Sequence, residues 1–266
     1  MKDKSKKEIV KEKYSEIVKK SGVFYESSCC GPSSCCSGDF NNMSEDYSDV
    51  EGYIPDADLS LGCGLPTEFA MIKSGDTVVD LGSGAGNDVF IARSIAGDKG
   101  KIIGIDFTEE MIEKANLNKE KLGYDNIEFI YGDIEYLPID ADTADVVVSN
   151  CVLNLVPDKD KAFSEICRIL KPGGHFSISD IVTTGELPES IKKVAELYAG
   201  CVSGAITKDE YLGIIKKAGF KNIKIQKERV IEIPDYIYLK YISNEELTEI
   251  KKTGLKLISV NVYGAK

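Results

Sequence analysis

The sequence predicts an α/β protein built on a mostly parallel sheet with helices on both faces. Three observations lead there. From residue 61 to residue 185, short apolar runs alternate with longer stretches of helical period. The first of those runs, "DTVVDLGSG", ends in closely spaced glycines and passes straight into a helical stretch. The chain of 266 residues is 42% apolar, enough to bury a core on both sides of a sheet. Alternating strands and helices require crossover connections, which make strands parallel and cover both sheet faces.

The elements follow in order. Ile9, Val10, Tyr14, Ile17 and Val18 recur at helical spacing, so residues 1–20 predict an amphipathic helix with a basic, solvated face. Residues 21–60 are rich in Ser, Gly, Asp and Asn and predict a loop. "PTEFAMI" opens a helix with Pro66 at its tolerated first position. "DTVVDLGSG" and "KIIGIDF" are buried strands, followed by helices "NDVFIARSIAG" and "TEEMIEKANLNKEKLG". Thr108 is the expected N-cap of the second helix, with acids in its first turn and Gly123 at its end. "IEFIYGD" and "ADVVVSNC" are the third and fourth strands. "DKDKAFSEICRILKPGG" is a helix with a Pro-Gly-Gly stop, and "HFSISDIV" the fifth strand. Beyond residue 185 come helices "PESIKKVAELYAGCVSGA" and "TKDEYLGIIKKAGF", then strands "NIKIQKERVIEI" and "LKLISVNVYGA". These strands are expected to complete the sheet edge within a small C-terminal α+β annex. The expected units are therefore 1–60, 61–185 and 186–266.

The formal net charge of −11 sets the class of partner. Such a chain is repelled by phosphate backbones and anionic membranes, so neither nucleic acid nor a membrane is expected. No apolar run reaches the roughly 20 residues that span a bilayer, and no signal-peptide pattern follows the basic start. A cytoplasmic monomer is the expectation. Thiols stay mostly reduced there, so eight cysteines read as ligands or catalysts rather than staples.

The glycine turn narrows the ligand. Gly82, Gly84 and Gly86 follow the first strand as G-x-G-x-G, and Asn87 replaces the residue a dinucleotide fingerprint would need as glycine. The strand–turn–helix context is that of a Rossmann-like crevice. Asp80 stands two residues before the first glycine, where a carboxylate repels a pyrophosphate and welcomes a cation. Asp106, twenty residues past Gly86 at the end of the second strand, is placed to accept ribose hydroxyls. Asp133, Ile134 and Glu135, after the third strand, can frame an adenine. A nucleoside carrying a cationic centre and an ammonium group points to S-adenosylmethionine as cofactor. Ser83, Asn87, Phe107, Met111, Gly132 and Asn150 complete the expected cofactor contacts.

Pattern also sorts the cysteines. Cys63, between two glycines, is expected to be exposed, its thiolate favoured by a nearby helix N-terminus. Cys151 follows the fourth strand at the carboxyl end, facing the crevice. Cys201 shares a helical face with Val194, Leu197 and Tyr198, which by periodicity alone makes it core. Cys167 shares one with Phe163 and Leu170 and is structural. "SSCCGPSSCC" holds Cys29, Cys30, Cys35 and Cys36, open to readings as a disulfide staple, a zinc clip or working thiolates. Two vicinal pairs match a zinc knuckle poorly. The lone His175 has no partner motif and reads as structural, and one histidine is too few for a histidine-ligated zinc enzyme.

"DLGSGAGNDVFIA", "GIDFTEEMIEKA", "GDIEYLP", "SNCVLNLVPDK" and "ILKPGG" resemble the class I methyltransferases. With "YIPDADLSLGCGLP", "SNCVLNL" and "YAGCVSGAIT", residues 24–226 resemble the arsenite S-adenosylmethionine methyltransferases. The resemblance implies that Cys63, Cys151 and Cys201 hold trivalent arsenic. It also implies that a cysteine of the vicinal loop supplies a thiol or reduces an intermediate. Cys30 stands for the four, among which the sequence does not choose. Arsenite, methylated arsenicals and a thiol reductant of thioredoxin or glutathione type are the implied partners. Two rivals remain at this point: a methyltransferase of a small organic molecule, which a thiol block would spare, and a non-enzymatic binder of soft metal ions, which would show no turnover.

Overall fold

The computed structural model describes residues 6–23, 44–189, 204–239 and 242–266. Seven strands form one sheet: β1 (Thr77–Leu81), β2 (Lys101–Asp106), β3 (Ile127–Tyr131), β4 (Ala144–Asn150), β5 (Leu170–Thr183), β6 (Lys221–Ile231) and β7 (Leu257–Ala265). Their spatial order is β3-β2-β1-β4-β5-β7-β6. Strands β1 to β5 pair in parallel, and β7 inserts antiparallel between β5 and β6. The last two strands thus complete the sheet edge, as their position predicts.

The helices are α1 (Lys6–Val23), α2 (Pro66–Phe69), α3 (Asn87–Ala96), α4 (Glu109–Leu122), α5 (Lys159–Ile169), α6 (Lys208–Lys217), α7 (Asp235–Tyr238) and α8 (Asn244–Lys252). Alternation along each strand splits the core into two layers. Val78, Ile102, Val146 and Val148 face Val89, Phe90 and Ala92 of α3. Val79, Ile103, Val147 and Phe176 face Phe163 and Ile166 of α5 and Tyr211 of α6. Adjacent residues Val78 and Val79 serve opposite layers because successive strand side chains point to opposite faces. Each fully buried side chain of this size contributes about 1.5–3 kcal/mol.

Local signals set most ends. Gly97 and Gly123 close α3 and α4 with φ +70° and +66°. Asp158 caps α5 by accepting from Lys161 N at 2.9 Å. Thr108 occupies the N-cap of α4, but its side chain makes no capping bond; its backbone N–H instead donates to Asp106 Oδ1 at 2.8 Å. α2 stops after one turn because Met71 takes φ +50°. α7 and α8 have no counterpart among the elements read from sequence. The helix read over "PESIKKVAELYAGCVSGA", with Cys201, and the cysteine loop with Cys29, Cys30, Cys35 and Cys36 lie mostly or wholly outside the described residues.

Candidate functional site

The carboxyl ends of β1, β2 and β4 open into a cleft of about 740 Å³. Its floor is the glycine turn. Gly82 N and Ser83 N both donate to Ile105 O, at 2.7 and 3.0 Å, and Gly86 N donates to Ser83 O at 2.9 Å. Gly82, Gly84 and Gly86 all have positive φ, which only glycine adopts without strain. A Cβ on Gly84 would meet nothing nearer than Met111 Sδ at 3.8 Å, so this residue leaves its space to the cleft. At Gly82 a Cβ would collide with Val152, at φ +73°. Gly82→Ala is therefore expected to cost about 1–3 kcal/mol of stability, read as a lowered thermal midpoint.

Asp106 organises the turn. Its Oδ2 accepts from Gly84 N at 3.0 Å and its Oδ1 from Thr108 N. Burial raises its pKa against the pull of those donors. A carboxylate offers about four acceptor positions, so capacity remains for ligand hydroxyls. Ser83 Oγ and Asn87 Oδ1 are buried with no hydrogen-bond partner among the described residues, the kind of polar atoms a seated ligand satisfies. Below the turn, burial and the charges of Asp88 and Asp106 push Asp80 well above the usual carboxylate range. Burial also brings Asp88 to about 6. Crowded carboxyls beneath the turn resist ionising together, and a cation seated above them would relieve that repulsion.

A second chamber of about 360 Å³ shares Phe107, Val152 and Leu155 with the first. Ile134 and Val156 line it, with Asp133 at its edge, which suits a flat apolar ring. Helix α1 roofs both. Tyr14 lines the first chamber and Lys7 and Val10 the second. Lys7 Nζ pairs with Asp133 at 2.6 Å and also with Glu135. Lys19 and Ser15 bond Glu110 at 2.9 and 2.8 Å and hold its carboxyl down at about 2.

Several expected contacts are placed differently. Gly82, Ser83, Gly84, Asn87, Asp106, Phe107, Met111 and Asn150 line the first chamber, with Cys151. Asp80 lies beneath the turn and not on the wall. Gly86 is taken up by packing, since a Cβ there would press on Phe90 and Phe129. Gly132 lines neither chamber, and a Cβ there would press on Pro138. Glu135 turns away to Lys7 and to Asp158 N, from which its Oε1 accepts at 2.8 Å. The roof residues Tyr14, Asp58 and Leu61 escaped the sequence reading, which offered a loop and an amphipathic helix with no partner for either.

Of the two thiols, Cys151 lines the first chamber and Cys63 does not. Cys63 is fully buried and Cys151 is 2% exposed. The exposure expected for Cys63 is thus overturned: its two glycines let the turn sink into the protein. Both cysteines belong to one apolar cluster with Ile181, Leu187, Ile231 and Leu257. Both also act electrostatically on the buried phenol of Tyr211. Cys63 O accepts from Ser259 Oγ at 2.7 Å and Arg229 Nη2 at 3.3 Å. Cys151 has φ +62°, left-handed for a residue with a Cβ, and its N–H donates to Ser179 O at 2.8 Å. Cys167 is half-buried against the other core layer, and His175 bonds Ala70 O at 2.6 Å and packs on Tyr263. Both fit structural roles.

A ligand crevice over a glycine turn, on a parallel sheet with one inserted antiparallel strand, defines a methyltransferase of the Rossmann-like class. Residues 72–219 match the family described as a methyltransferase domain. An arsenite methyltransferase of Halobacterium salinarum is 40% identical over 82% of this chain and 58% of its own length. One from Aquipseudomonas alcaligenes is 31% identical over 86% and 66%. The chain thus spans less than two thirds of either relative. The crystal structure of CrArsM, an arsenic(III) S-adenosylmethionine methyltransferase from Chlamydomonas reinhardtii, superposes with a TM-score of 0.66. It is 30% identical, over 85% of this chain and 72% of that one. The chain belongs to the arsenite S-adenosylmethionine methyltransferase family.

Proposed function

We propose that the protein transfers methyl groups from S-adenosylmethionine to trivalent arsenic held by cysteine thiolates. The observation that carries this reading is the double position of Cys151. It lines the glycine-turn cleft and also shares an apolar cluster with Cys63. One thiol therefore faces the cofactor chamber while keeping company with a second.

Trivalent arsenic is soft and prefers sulfur to oxygen or nitrogen. Three thiolates around it leave a lone pair, which is the nucleophile, so no general base is needed. Among the described residues no three ligating side chains gather as a metal site. The third sulfur is accordingly assigned to Cys201, with Cys30 or another vicinal cysteine delivering or reducing the substrate. Chain connectivity supports the first assignment. Leu187 belongs to the two-thiol cluster and Ala205 packs against it, and Cys201 lies between them in sequence. Downstream of the vicinal pairs, Tyr47 OH donates to Gly64 O at 2.8 Å, beside Cys63.

When bound, S-adenosylmethionine supplies a methyl group on a cationic sulfonium and leaves as a neutral thioether. Asp106, Ser83 and Asn87 are assigned to the nucleoside, and Phe107, Ile134 and Val156 to the ring. The protein's task is alignment, which contributes about 7–11 kcal/mol when reacting atoms are held in line. The apolar walls around Cys63 and Cys151 exclude water from the thiolates. The reading includes a thiol reductant of thioredoxin or glutathione type.

The test is incubation with labelled S-adenosylmethionine, arsenite and a thiol, followed by identification of the arsenic species. Methylated arsenicals are expected. Label passing only to an organic acceptor, or arsenite bound with no turnover, would sink the reading. Asp106→Ala should weaken S-adenosylmethionine binding about 100-fold by calorimetry, since it strips two turn contacts and the proposed hydroxyl acceptor.

A further inference from the structure

Asn150 lines the cofactor cleft, yet its amide is engaged elsewhere, by the Cys63 turn and helix α3. Its Oδ1 accepts from Cys63 N at 3.0 Å. Its Nδ2 donates to Gly64 O at 2.8 Å, so the amide grips the Cys63 turn from both sides. The same Nδ2 lies 2.5 Å from Tyr47 OH and 3.1 Å from Asp88 Oδ2. The fit leaves no slack: a Cβ on Gly62 would sit 2.6 Å from that nitrogen. The next residue is Cys151, whose φ of +62° persists only where surrounding structure over-determines it.

We propose that Asn150 is the positioning residue that fixes the two thiols relative to each other and to the cofactor chamber. This rests on the arsenic-binding reading of Cys63 and Cys151 given above. Three segments meet at one side chain. The Cys63 turn is held through Asn150 Oδ1 and Nδ2, Cys151 through the adjoining backbone, and helix α3 through Asp88 in its first turn. Gly86, the end of the glycine turn, is the N-cap of helix α3. The amide therefore ties the sulfur pair to the element that seats the methyl donor. Tyr47 assists, its hydroxyl within 3.3 Å of Asp88 as well as 2.8 Å from Gly64 O. The amide's main role differs from cofactor contact: its two N–H groups and one acceptor position are committed to the Cys63 turn, Tyr47 and Asp88, so it sets where two ligand atoms stand.

The experiment measures arsenite and S-adenosylmethionine dissociation constants separately, with thermal midpoints, for the wild-type chain and three variants. Asn150→Ala should weaken arsenite binding about 10- to 100-fold, the usual range for residues that orient metal ligands, with S-adenosylmethionine affinity within about two-fold. Tyr47→Phe keeps the ring and removes one hydroxyl, and should weaken arsenite about 3- to 10-fold. It also decides the matter if Asn150→Ala does not fold. Asn126→Ala removes an amide bonded to Gly97 O and Gly100 O, far from the thiols, and should lower the thermal midpoint while sparing arsenite affinity. Arsenite binding unchanged in both Asn150→Ala and Tyr47→Phe would overturn the proposal. So would equal losses of arsenite and S-adenosylmethionine affinity in Asn150→Ala, which would return the residue to the cofactor. If the wild-type chain fails to bind arsenite, the arsenic reading falls first, and this inference with it.

Discussion

Cys151→Ser is expected to abolish arsenite methylation, by on the order of 10³-fold or more, while S-adenosylmethionine still binds. Serine keeps the Cβ and the backbone bond to Ser179 O, so the left-handed turn at φ +62° is no harder to form. What changes is one atom, from soft sulfur to hard oxygen, and a soft metalloid discriminates strongly between them. A substrate held by one thiol fewer also loses its fixed direction, and with it the alignment that supplies about 7–11 kcal/mol of the rate. Cys63→Ser should have the same catalytic effect but a lower thermal midpoint. Its side chain is wholly enclosed, and a hydroxyl costs about 1–3 kcal/mol more than a thiol to take out of water. Cys167→Ala should leave turnover near normal, because that thiol packs against the opposite core layer. The measurement is product arsenic by speciation alongside cofactor titration. Retained methylation in Cys151→Ser would remove that cysteine from the mechanism.

The sheet was legible because its signals are local. "TVVDL" and "KIIGID" bury every residue but the first, as continuous apolar strands of a parallel sheet do. Gly97 and Gly123 stop helices where the sequence puts them. The floor of the cleft was legible for the same reason: Gly82, Gly84 and Asp106 sit within two neighbouring strand–turn units. The depth of Cys63 was not. Two flanking glycines look like an exposed loop, but the turn is drawn inward by Asn150, Ser259 and Arg229, separated from it by 87, 196 and 166 residues. Nothing at short range records those bonds. The tie of Glu135 to Lys7 is hidden for a related reason: the two residues lie 128 positions apart. Helix α8 is a different case. Ser243 with Glu246 three residues on is a capping signature, and Ser243 Oγ accepts from Glu246 N at 3.2 Å. That signal was present in the sequence and outweighed by the strands around it.

The same burial that shelters the thiols makes the fold lose stability as pH rises from acid towards neutrality. Asp180 is completely buried at the end of β5, where Tyr211 OH donates to its Oδ2 at 3.1 Å. Burial pushes its pKa up from an ordinary 3.8 to about 7, against the opposing influence of Lys159 and the hydrogen bonds it accepts. The folded protein therefore retains a proton between about pH 4 and 7 that the unfolded chain has already lost. Over that window the folded state binds more protons, so stability falls as pH rises, and the penalty is complete above about pH 7. At about 1.36 kcal/mol per unit, the full effect of Asp180 is at most about 4 kcal/mol. Asp88, raised to about 6, adds to it in the same direction over a narrower range. Asp145 and Glu165 act oppositely, their lowered pKa values contributing stability that is lost only as pH falls below the usual carboxylate range. Stability should accordingly peak on the acid side of neutrality. Asp180→Asn keeps an acceptor for Tyr211 and removes the titration. Denaturant unfolding at pH 5 and pH 8 should show a smaller decline for the variant than for the wild type. The variant should be the more stable of the two at pH 8, by about 1–4 kcal/mol. An unchanged decline would mean that Asp180 is solvated in the folded protein, and that the enclosure around Tyr211, Cys63 and Cys151 is not dry.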